Sequence, residues 1–216
     1  MRAKGVGVVL LVAATQVAAA QTATLSIGPQ VALASYDETA SGLSYQGTGF
    51  GGVVAGRYGR FSAEGTVVRV QLDPTSGSTA TAGFTSTEVD AWVGYDLASY
   101  ASVEVGLAHR SADPELDGQS MGAVRVGARS FHELGPGATV LFRANYLAAP
   151  QFSGGGHASF SLDLGLGLDV RLAGRVHGTA AYTFQRIDRR TNPGGTGDVD
   201  APIQETVARV GVSLAF

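Results

Sequence analysis

The sequence predicts an all-β fold, a single up-and-down antiparallel barrel of about ten strands. From Leu25 onward polar and apolar residues alternate with a period of two, without a convincing helical stretch. The segments that alternate are joined by connections that are in turn short and long. The chain also has 31 glycines against 7 prolines, and so much glycine argues against long helices.

The first 20 residues have the layout of a secretory signal peptide. Two basic residues precede an apolar run from Val6 to Ala14, and three alanines at 18–20 precede Gln21. The run is shorter than the roughly 20 residues that a membrane-spanning helix needs. We therefore expect a signal peptide at 1–20, cleaved after Ala20, and one barrel domain at 21–216.

The strands are read from the alternation. The clearest lies in 158–172, where every second residue from Phe160 to Leu172 is apolar and the residues between are polar or small. The same reading predicts strands at 23–36, 46–57, 61–72, 84–96, 101–111, 121–131, 138–149, 158–172, 175–187 and 203–216. Strand 61–72 is the least regular, because Glu64 and Arg69 fall on opposite faces unless a β-bulge resets the phase. Eight strands is the alternative count.

The connections suggest which kind of barrel this is. Short connections lie at 58–60, 98–100, 132–137 and 173–174, and longer polar ones at 37–45, 73–83, 112–120, 150–157 and 188–202. Bacterial outer-membrane barrels alternate in this way, since their periplasmic turns are tight and their extracellular loops are long. An even strand count also returns both termini to one side.

Alternation alone leaves open whether the apolar face meets lipid or fills the core of a secreted, soluble lipid-binding barrel. Three features favour lipid: an apolar face almost free of charge, a last strand that ends on an aromatic residue, and aromatic residues beside the short turns. The expected membrane-interface aromatics are Tyr58, Phe61, Tyr95, Tyr100, Phe131 and Phe216.

This architecture and the terminal Phe216 resemble the small bacterial outer-membrane barrels, the OmpA-like transmembrane domain and OmpX-like proteins, extended here by one hairpin. The resemblance spans 21–216. It implies a bacterial outer-membrane location, contact with outer-membrane lipids and recognition of the last strand, through Phe216, by the barrel-assembly machinery. It implies no particular activity.

If the apolar face is outside, the polar face lines the lumen. The expected lumen-lining charges are Glu88, Asp90, Asp96, Glu104, Arg110, Arg125, Arg129, Arg143, Asp163, Asp169, Arg171, Glu205 and Arg209. A barrel of this size leaves little interior space, and unpaired buried charges are costly, so we expect these charges to pair and largely plug the lumen. The function expected is structural or surface-interacting, and the alternative is a narrow channel for ions or small solutes past Arg125, Arg143 and Asp163.

No enzyme is expected, and two hydrolases are the alternatives. His109, Ser111 and Glu115 resemble the site of the outer-membrane lipid A deacylases, but Ala112 stands where those enzymes have Asn. An omptin-like protease needs paired carboxylates and a His–Asp couple at the outer rim, residue types available in Asp113, Asp117, His157, Asp188, Asp198 and Asp200. We expect no metal and no cofactor, since the histidines are scattered. The formal net charge of −3 also gives no reason to expect nucleic acid binding.

Overall fold

The computed structural model describes residues 23–113, 116–192 and 198–216, and they form a closed antiparallel β-barrel. The long strands are β1 (Thr24–Glu38), β2 (Leu43–Tyr58), β3 (Phe61–Pro74), β4 (Phe84–Ala98), β5 (Ala101–Asp113), β6 (Met121–Gly135), β7 (Ala138–Phe152), β8 (His157–Ala173), β9 (Val176–Thr191) and β11 (Ile203–Ala215). A two-residue strand, β10 (Val199–Asp200), pairs with the end of β9 outside the barrel wall. The predicted ten-stranded barrel is confirmed; the predicted signal peptide lies outside the described residues.

Each long strand pairs with its neighbours in sequence, and the barrel closes where β1 meets β11. At this closure Val31 lies opposite Val210, and Leu25 and Phe216 exchange backbone hydrogen bonds of 3.4 and 2.8 Å. The up-and-down topology is therefore complete, and no long strand among the described residues is left as a free edge. Within the same part of the chain, no helix is long and apolar enough to cross a membrane.

The two ends of the barrel differ. At one end, here called the turn end, two-residue turns at 59–60, 99–100, 136–137 and 174–175 join the strands. Gly59 and Gly174 have φ angles of 59° and 54°, which glycine adopts at no steric cost. The other end, the loop end, carries the remaining connections, of which residues 39–42, 75–83, 116–120, 153–156, 192 and 198–202 are described.

The aliphatic face of the strands lies on the outside of the barrel, as the sequence predicts for a transmembrane barrel. Leu164, Leu166 and Leu168 are 40%, 47% and 38% exposed, whereas Asp163 between them in sequence is 2% exposed and points inward. Exposed valines, leucines and aromatic residues continue this surface around the wall. Backbone groups are satisfied within the closed sheet, so this surface can lie in hydrocarbon.

Nearer the loop end the arrangement reverses. In β3 the side chain of Val67 is exposed, but Val68, Val70 and Leu72 are buried inside the barrel and Arg69 is exposed outside. Glu64, on the opposite face from Arg69, points inward, so β3 needs no bulge to accommodate both charges. The wall therefore continues beyond its aliphatic belt with a polar outside and an apolar inside.

Candidate functional site inside the barrel

The interior has two layers stacked along the barrel axis. The charged layer consists of inward residues from six neighbouring strands, β3 to β8: Glu64, Asp90, Glu104, Arg125, Arg129, Arg143 and Asp163. The apolar layer lies nearer the loop end and contains Tyr36, Tyr45, Leu72, Phe84, Leu147, Ile187 and Ile203. Inward residues follow one another at every second position, so one strand can contribute to both layers, as β3, β4 and β7 do.

Arg125 holds one group of the charged layer. Its Nη1 lies 2.7 Å from Asp90 Oδ1 and its Nη2 lies 3.0 Å from Asp163 Oδ2, so a single guanidinium from β6 joins β4 to β8. All three side chains are almost fully buried. Asn145 on β7 donates a 3.2 Å hydrogen bond to Asp163 and adds a neutral partner.

A second group shares two arginines between two glutamates. Glu104 Oε1 forms an ion pair with Arg129, whose Nε lies 2.7 Å away, and Glu104 Oε2 accepts a hydrogen bond from Arg143 Nε at 2.9 Å. Glu64 Oε2 lies 3.2 Å from Arg143 Nη2 and 3.6 Å from Arg129 Nη1. The two positive and two negative charges balance, which is the condition under which buried ions are tolerated.

Trp92 lies between the two groups. The guanidinium carbon of Arg143 is 4.3 Å from its ring centroid and that of Arg125 is 4.8 Å. Both distances suit cation–π attraction, which is strengthened when the partners are desolvated. The indole therefore fixes the positions of both arginines while filling space between them.

Further charges occupy the boundary between the layers. Arg110 forms an ion pair with Glu205, and its guanidinium carbon lies 5.1 Å from the ring centroid of Tyr36. Glu88 lies beside Glu205 and Asp90. Arg209, on β11, interacts electrostatically with Glu64, Glu88 and Asp90.

The apolar layer is packed around three aromatic rings. Tyr45 and Phe84 meet edge to face with centroids 4.9 Å apart, and Tyr36 lies 5.9 Å from Phe84 and 6.2 Å from Tyr45. Leu147 and Ile187 are fully buried in the same layer. Packing of this kind is typical of the core of a soluble domain.

The loop between β5 and β6 reaches over the apolar layer. Its 3₁₀ turn, Asp117–Gln119, presents Gln119, whose amide donates to Glu38 and accepts from Arg189. Arg110 Nη2 donates to the Gln119 carbonyl at 3.3 Å, and Gly154 N donates to the Gly118 carbonyl at 2.9 Å. Gln119 thus ties this loop to β1, β5 and β9.

A cavity of about 280 Å³ lies on the turn-end side of the charged layer. We call it the turn-end cavity; its lining includes Val53, Glu64, Phe131, Leu141, Arg143, Gly165, Gly167, Asp169, Thr179, Ala181, Arg209 and Ser213. Two cavities at the turn-end rim share Thr139 with it, so the space continues toward that end of the barrel. The glycines of β8 leave room where larger side chains would fill the lumen.

The structure places most of the charges expected in the lumen on inward faces. Asp90, Asp96, Glu104, Arg110, Arg125, Arg129, Asp163 and Glu205 are buried, and Glu88, Arg143 and Arg209 are half-buried among them. Asp96 pairs with Arg57 near the turn end. Asp169 and Arg171 lie at the turn-end rim, where Asp169 contacts His177 Nδ1 at 2.7 Å and Arg171 is exposed.

The expected interface aromatics lie near the turn end, with one correction. Tyr58, Phe61, Tyr95, Tyr100 and Phe216 are exposed, and Phe61 and Tyr95 meet edge to face at 5.2 Å. Phe131 instead lines the turn-end cavity, with its ring 4.8 Å from the Arg129 guanidinium carbon. The two residues are two apart in one strand and must share a face.

Sequence reasoning missed several interior residues. Glu64 was noticed only as a conflict of phase, yet it pairs with two arginines. Arg57, Glu38 and Arg189 belong to strands whose inward phase could have been extended to them. Gln119 lies in a loop, where alternation gives no signal.

Neither hydrolase site is assembled among the described residues. His109 and Ser111 lie on the outward face of β5 beyond Leu107, and no hydrogen bond among the described residues joins them. Glu115 is outside the described residues. The acids and histidines considered for proteolysis do not converge either: Asp188 contacts Arg186 at 2.9 Å and Asp200 contacts Arg190 at 2.9 Å. In the described part of the chain, no group of three metal-binding side chains occurs.

Comparison with known proteins gives a weak likeness in shape. No family model matches the chain, and no curated protein matches it in sequence. Among solved structures, the outer membrane protease OmpT from Escherichia coli is 8% identical with a TM-score of 0.47, covering 90% of this chain and 96% of that one. An outer membrane channel from Pseudomonas putida F1 is 11% identical with a TM-score of 0.44, covering 92% and 97%. The translocator domain of the autotransporter NalP from Neisseria meningitidis is 15% identical with a TM-score of 0.43, covering 90% and 89%. Likeness at this level carries no information about activity.

Proposed function

We propose that this chain is a bacterial outer-membrane barrel with a structural or surface-interaction role, and that it is neither an open channel nor an enzyme. The observation that carries the proposal is the interior: a layer of paired charges and a layer of packed aromatic and aliphatic side chains lie in series along the axis. An ion crossing the barrel would have to pass both.

The apolar layer is the stronger obstacle. Tyr36, Leu72, Phe84, Leu147 and Ile187 are fully buried, so the layer offers little space for water. Moving a bare ion through such surroundings is costly, because nothing replaces its hydration shell. The charged layer adds fixed ion pairs that a passing ion would have to separate.

The narrow channel remains the competing proposal, and single-channel recording separates the two. The purified protein, reconstituted in a planar bilayer, is expected to show no discrete conductance steps. A conducting porin inserted in the same bilayer controls for sensitivity. Steps that scale with the amount of protein inserted would contradict the plugged lumen.

Location is tested by fractionation. We expect the mature chain in the outer membrane fraction, extracted only by detergent, because its aliphatic belt would be exposed in water. Recovery in a detergent-free periplasmic supernatant would contradict the proposal and favour the soluble lipid-binding alternative.

Assembly is proposed to depend on the last strand. The side chain of Phe216 is exposed on the outside of the barrel, next to the closure with β1. Substitution of Phe216 by Ala is expected to lower the amount of barrel inserted in cells while leaving the stability of barrel refolded in vitro nearly unchanged. A similar loss from Leu214→Ala would argue that the effect is one of general hydrophobicity.

A surface-interaction role would belong to the loops. The connection 75–83 is rich in Thr, Ser and Gly and lies at the loop end, on a rigid wall. Replacing 75–83 by a Gly–Ser linker of equal length should preserve insertion and remove binding of whole cells to a host or neighbouring surface. Unchanged binding would assign this role elsewhere.

A further inference from the structure

We propose that the turn-end cavity is a binding site for a small carboxylate with a short aliphatic body. The inference goes beyond the proposed structural role, since a blind cavity can hold a ligand in a barrel that does not conduct. With a volume of about 280 Å³ it lies at the lower end of the size range of small-molecule sites.

The charges that line the cavity are unequally partnered. Glu64 is bound by Arg143 at 3.2 Å, Arg143 also reaches Glu104 at 2.9 Å, and Asp169 contacts His177 at 2.7 Å. Arg209 differs: among the described residues, no carboxylate oxygen lies within 4.0 Å of its guanidinium nitrogens, and its buried Nε has no hydrogen-bond partner. The cavity thus offers one guanidinium with donors to spare.

A ligand group that binds the Arg209 guanidinium should be negatively charged. Glu64, Glu88 and Asp90 interact with the Arg209 guanidinium electrostatically without accepting a hydrogen bond from its Nε. A guanidinium presents five donors in a fixed fork that matches a carboxylate. Thr179 and Ser213 line the same cavity on β9 and β11 and add hydroxyl donors nearby.

Part of the remaining lining suits an aliphatic body. Val53 on β2 and Phe131 and Leu141 on β6 and β7 line the cavity, while Gly165 and Gly167 on β8 take up almost no space. A ligand with a carboxylate at Arg209 could therefore extend its aliphatic part along these side chains toward the turn end. Apolar and polar groups are mixed in the lining, because Ser26, Gln30, Thr66, Thr139 and Thr183 also line the cavity.

The test uses hexanoate as the probe and the barrel in nanodiscs. Trp92, the sole tryptophan of the sequence, contacts Arg143 next to the cavity, so its fluorescence should report binding, and calorimetry measures affinity. Hexanoate should bind at least tenfold more tightly than 1-hexanol, since charge-assisted hydrogen bonds give about 10-fold to 100-fold in affinity. Equal affinities would overturn the proposal, as would no saturable binding of either.

Variants locate the site. Arg209→Gln should weaken hexanoate binding about tenfold or more and leave 1-hexanol unchanged, and Arg209→Lys should restore part of the loss. Ala181→Leu, which fills the cavity, should abolish binding of both probes. The matched control is Arg175→Gln, which removes the same charge from an exposed turn and should have no effect. An equal loss in Arg175→Gln would show general attraction by the surface and overturn the site.

Circular dichroism shows whether Arg209→Gln folds. If it does not, the preference of the wild-type protein for hexanoate over 1-hexanol and the loss of binding in Ala181→Leu still test the proposal. The conductance experiment is separate. Conductance steps would contradict the plugged lumen but not the carboxylate site. A lack of hexanoate binding would contradict the carboxylate site but not the plugged lumen.

Discussion

Arg125 illustrates how a single residue can hold the interior together. Its guanidinium bridges Asp90 and Asp163 on two other strands, and its removal would leave two buried carboxylates without their main partner. The geometry follows from the sequence only in part: alternation puts Arg125 inside, but it does not say which acids lie across the lumen.

Substituting Arg125 by Met should lower the free energy of unfolding by about 3–5 kcal/mol, because the buried charges it leaves are uncompensated. The matched control is Arg186→Met, which removes an exposed arginine 2.9 Å from Asp188 and should cost only about 0–1 kcal/mol. Urea unfolding in lipid vesicles measures both. Equal costs would mean that the charged layer is hydrated rather than buried.

His109 and Ser111 give a second prediction at this scale. Both side chains lie outside the barrel near the border of the aliphatic belt, and no described contact orients the imidazole toward the hydroxyl. The double substitution to Ala should leave lipid A acylation unchanged, as measured by mass spectrometry of extracted lipid A. A gain in acyl chains on substitution would establish deacylase activity.

At the scale of the strand, the same alternation of polar and apolar residues occurs in two opposite arrangements. The apolar side chains point outward within the aliphatic belt and inward nearer the loop end. In β5 the outward residues Val103, Val105 and Leu107 belong to the aliphatic belt, but His109 and Ser111 beyond them do not. The strands therefore run on past the belt toward the loop end, which explains why β1, β3, β5, β7 and β9 end two to four residues later than predicted.

The position of the belt can be measured with a charge scan. Val105→Arg, in the belt, should lower stability in vesicles by about 2–4 kcal/mol, whereas Thr87→Arg, outward and nearer the loop end, should cost about 0–1 kcal/mol. In micelles of a short-chain detergent the difference should shrink. A large cost at Thr87 would place that part of the wall inside the bilayer.

The proposed outer-membrane location gives the whole molecule a direction. Short turns at one end and longer loops at the other predict that the loop end faces the cell exterior, as in known outer-membrane barrels. Both chain ends described, β1 at Thr24 and β11 at Ala215, then lie on the periplasmic side.

The absence of cysteine from the sequence makes this orientation simple to test. Ser76→Cys, in a loop at the loop end, should react with a membrane-impermeant maleimide on intact cells. Ser99→Cys, in a turn at the turn end, should react only after the outer membrane is permeabilised. The reverse labelling pattern would show that the turn end faces the cell exterior.

The amino-acid sequence by itself determined the fold class, and it predicted ten strands, with eight as the alternative, and an aliphatic face on the outside of the barrel. These depend on a period of two and on local turn chemistry, which are properties of neighbouring residues. It also places charges such as Asp163 and Arg129 on the inward face. Proximity to a turn predicts Phe131 at the membrane interface, whereas the strand phase that it shares with Arg129 places its side chain inside the barrel.

Tertiary structure alone decided the pairing of charges, the apolar layer and the turn-end cavity. Which residues meet across the lumen depends on the stagger of the closed sheet, so Glu64 on β3 reaches Arg143 on β7 although 79 positions separate them. The sequence did not predict the apolar layer, for a similar reason. Buried residues such as Tyr36 and Leu72 alternate with polar ones just as lipid-facing residues do, and only closure of the barrel shows which side of the wall each occupies.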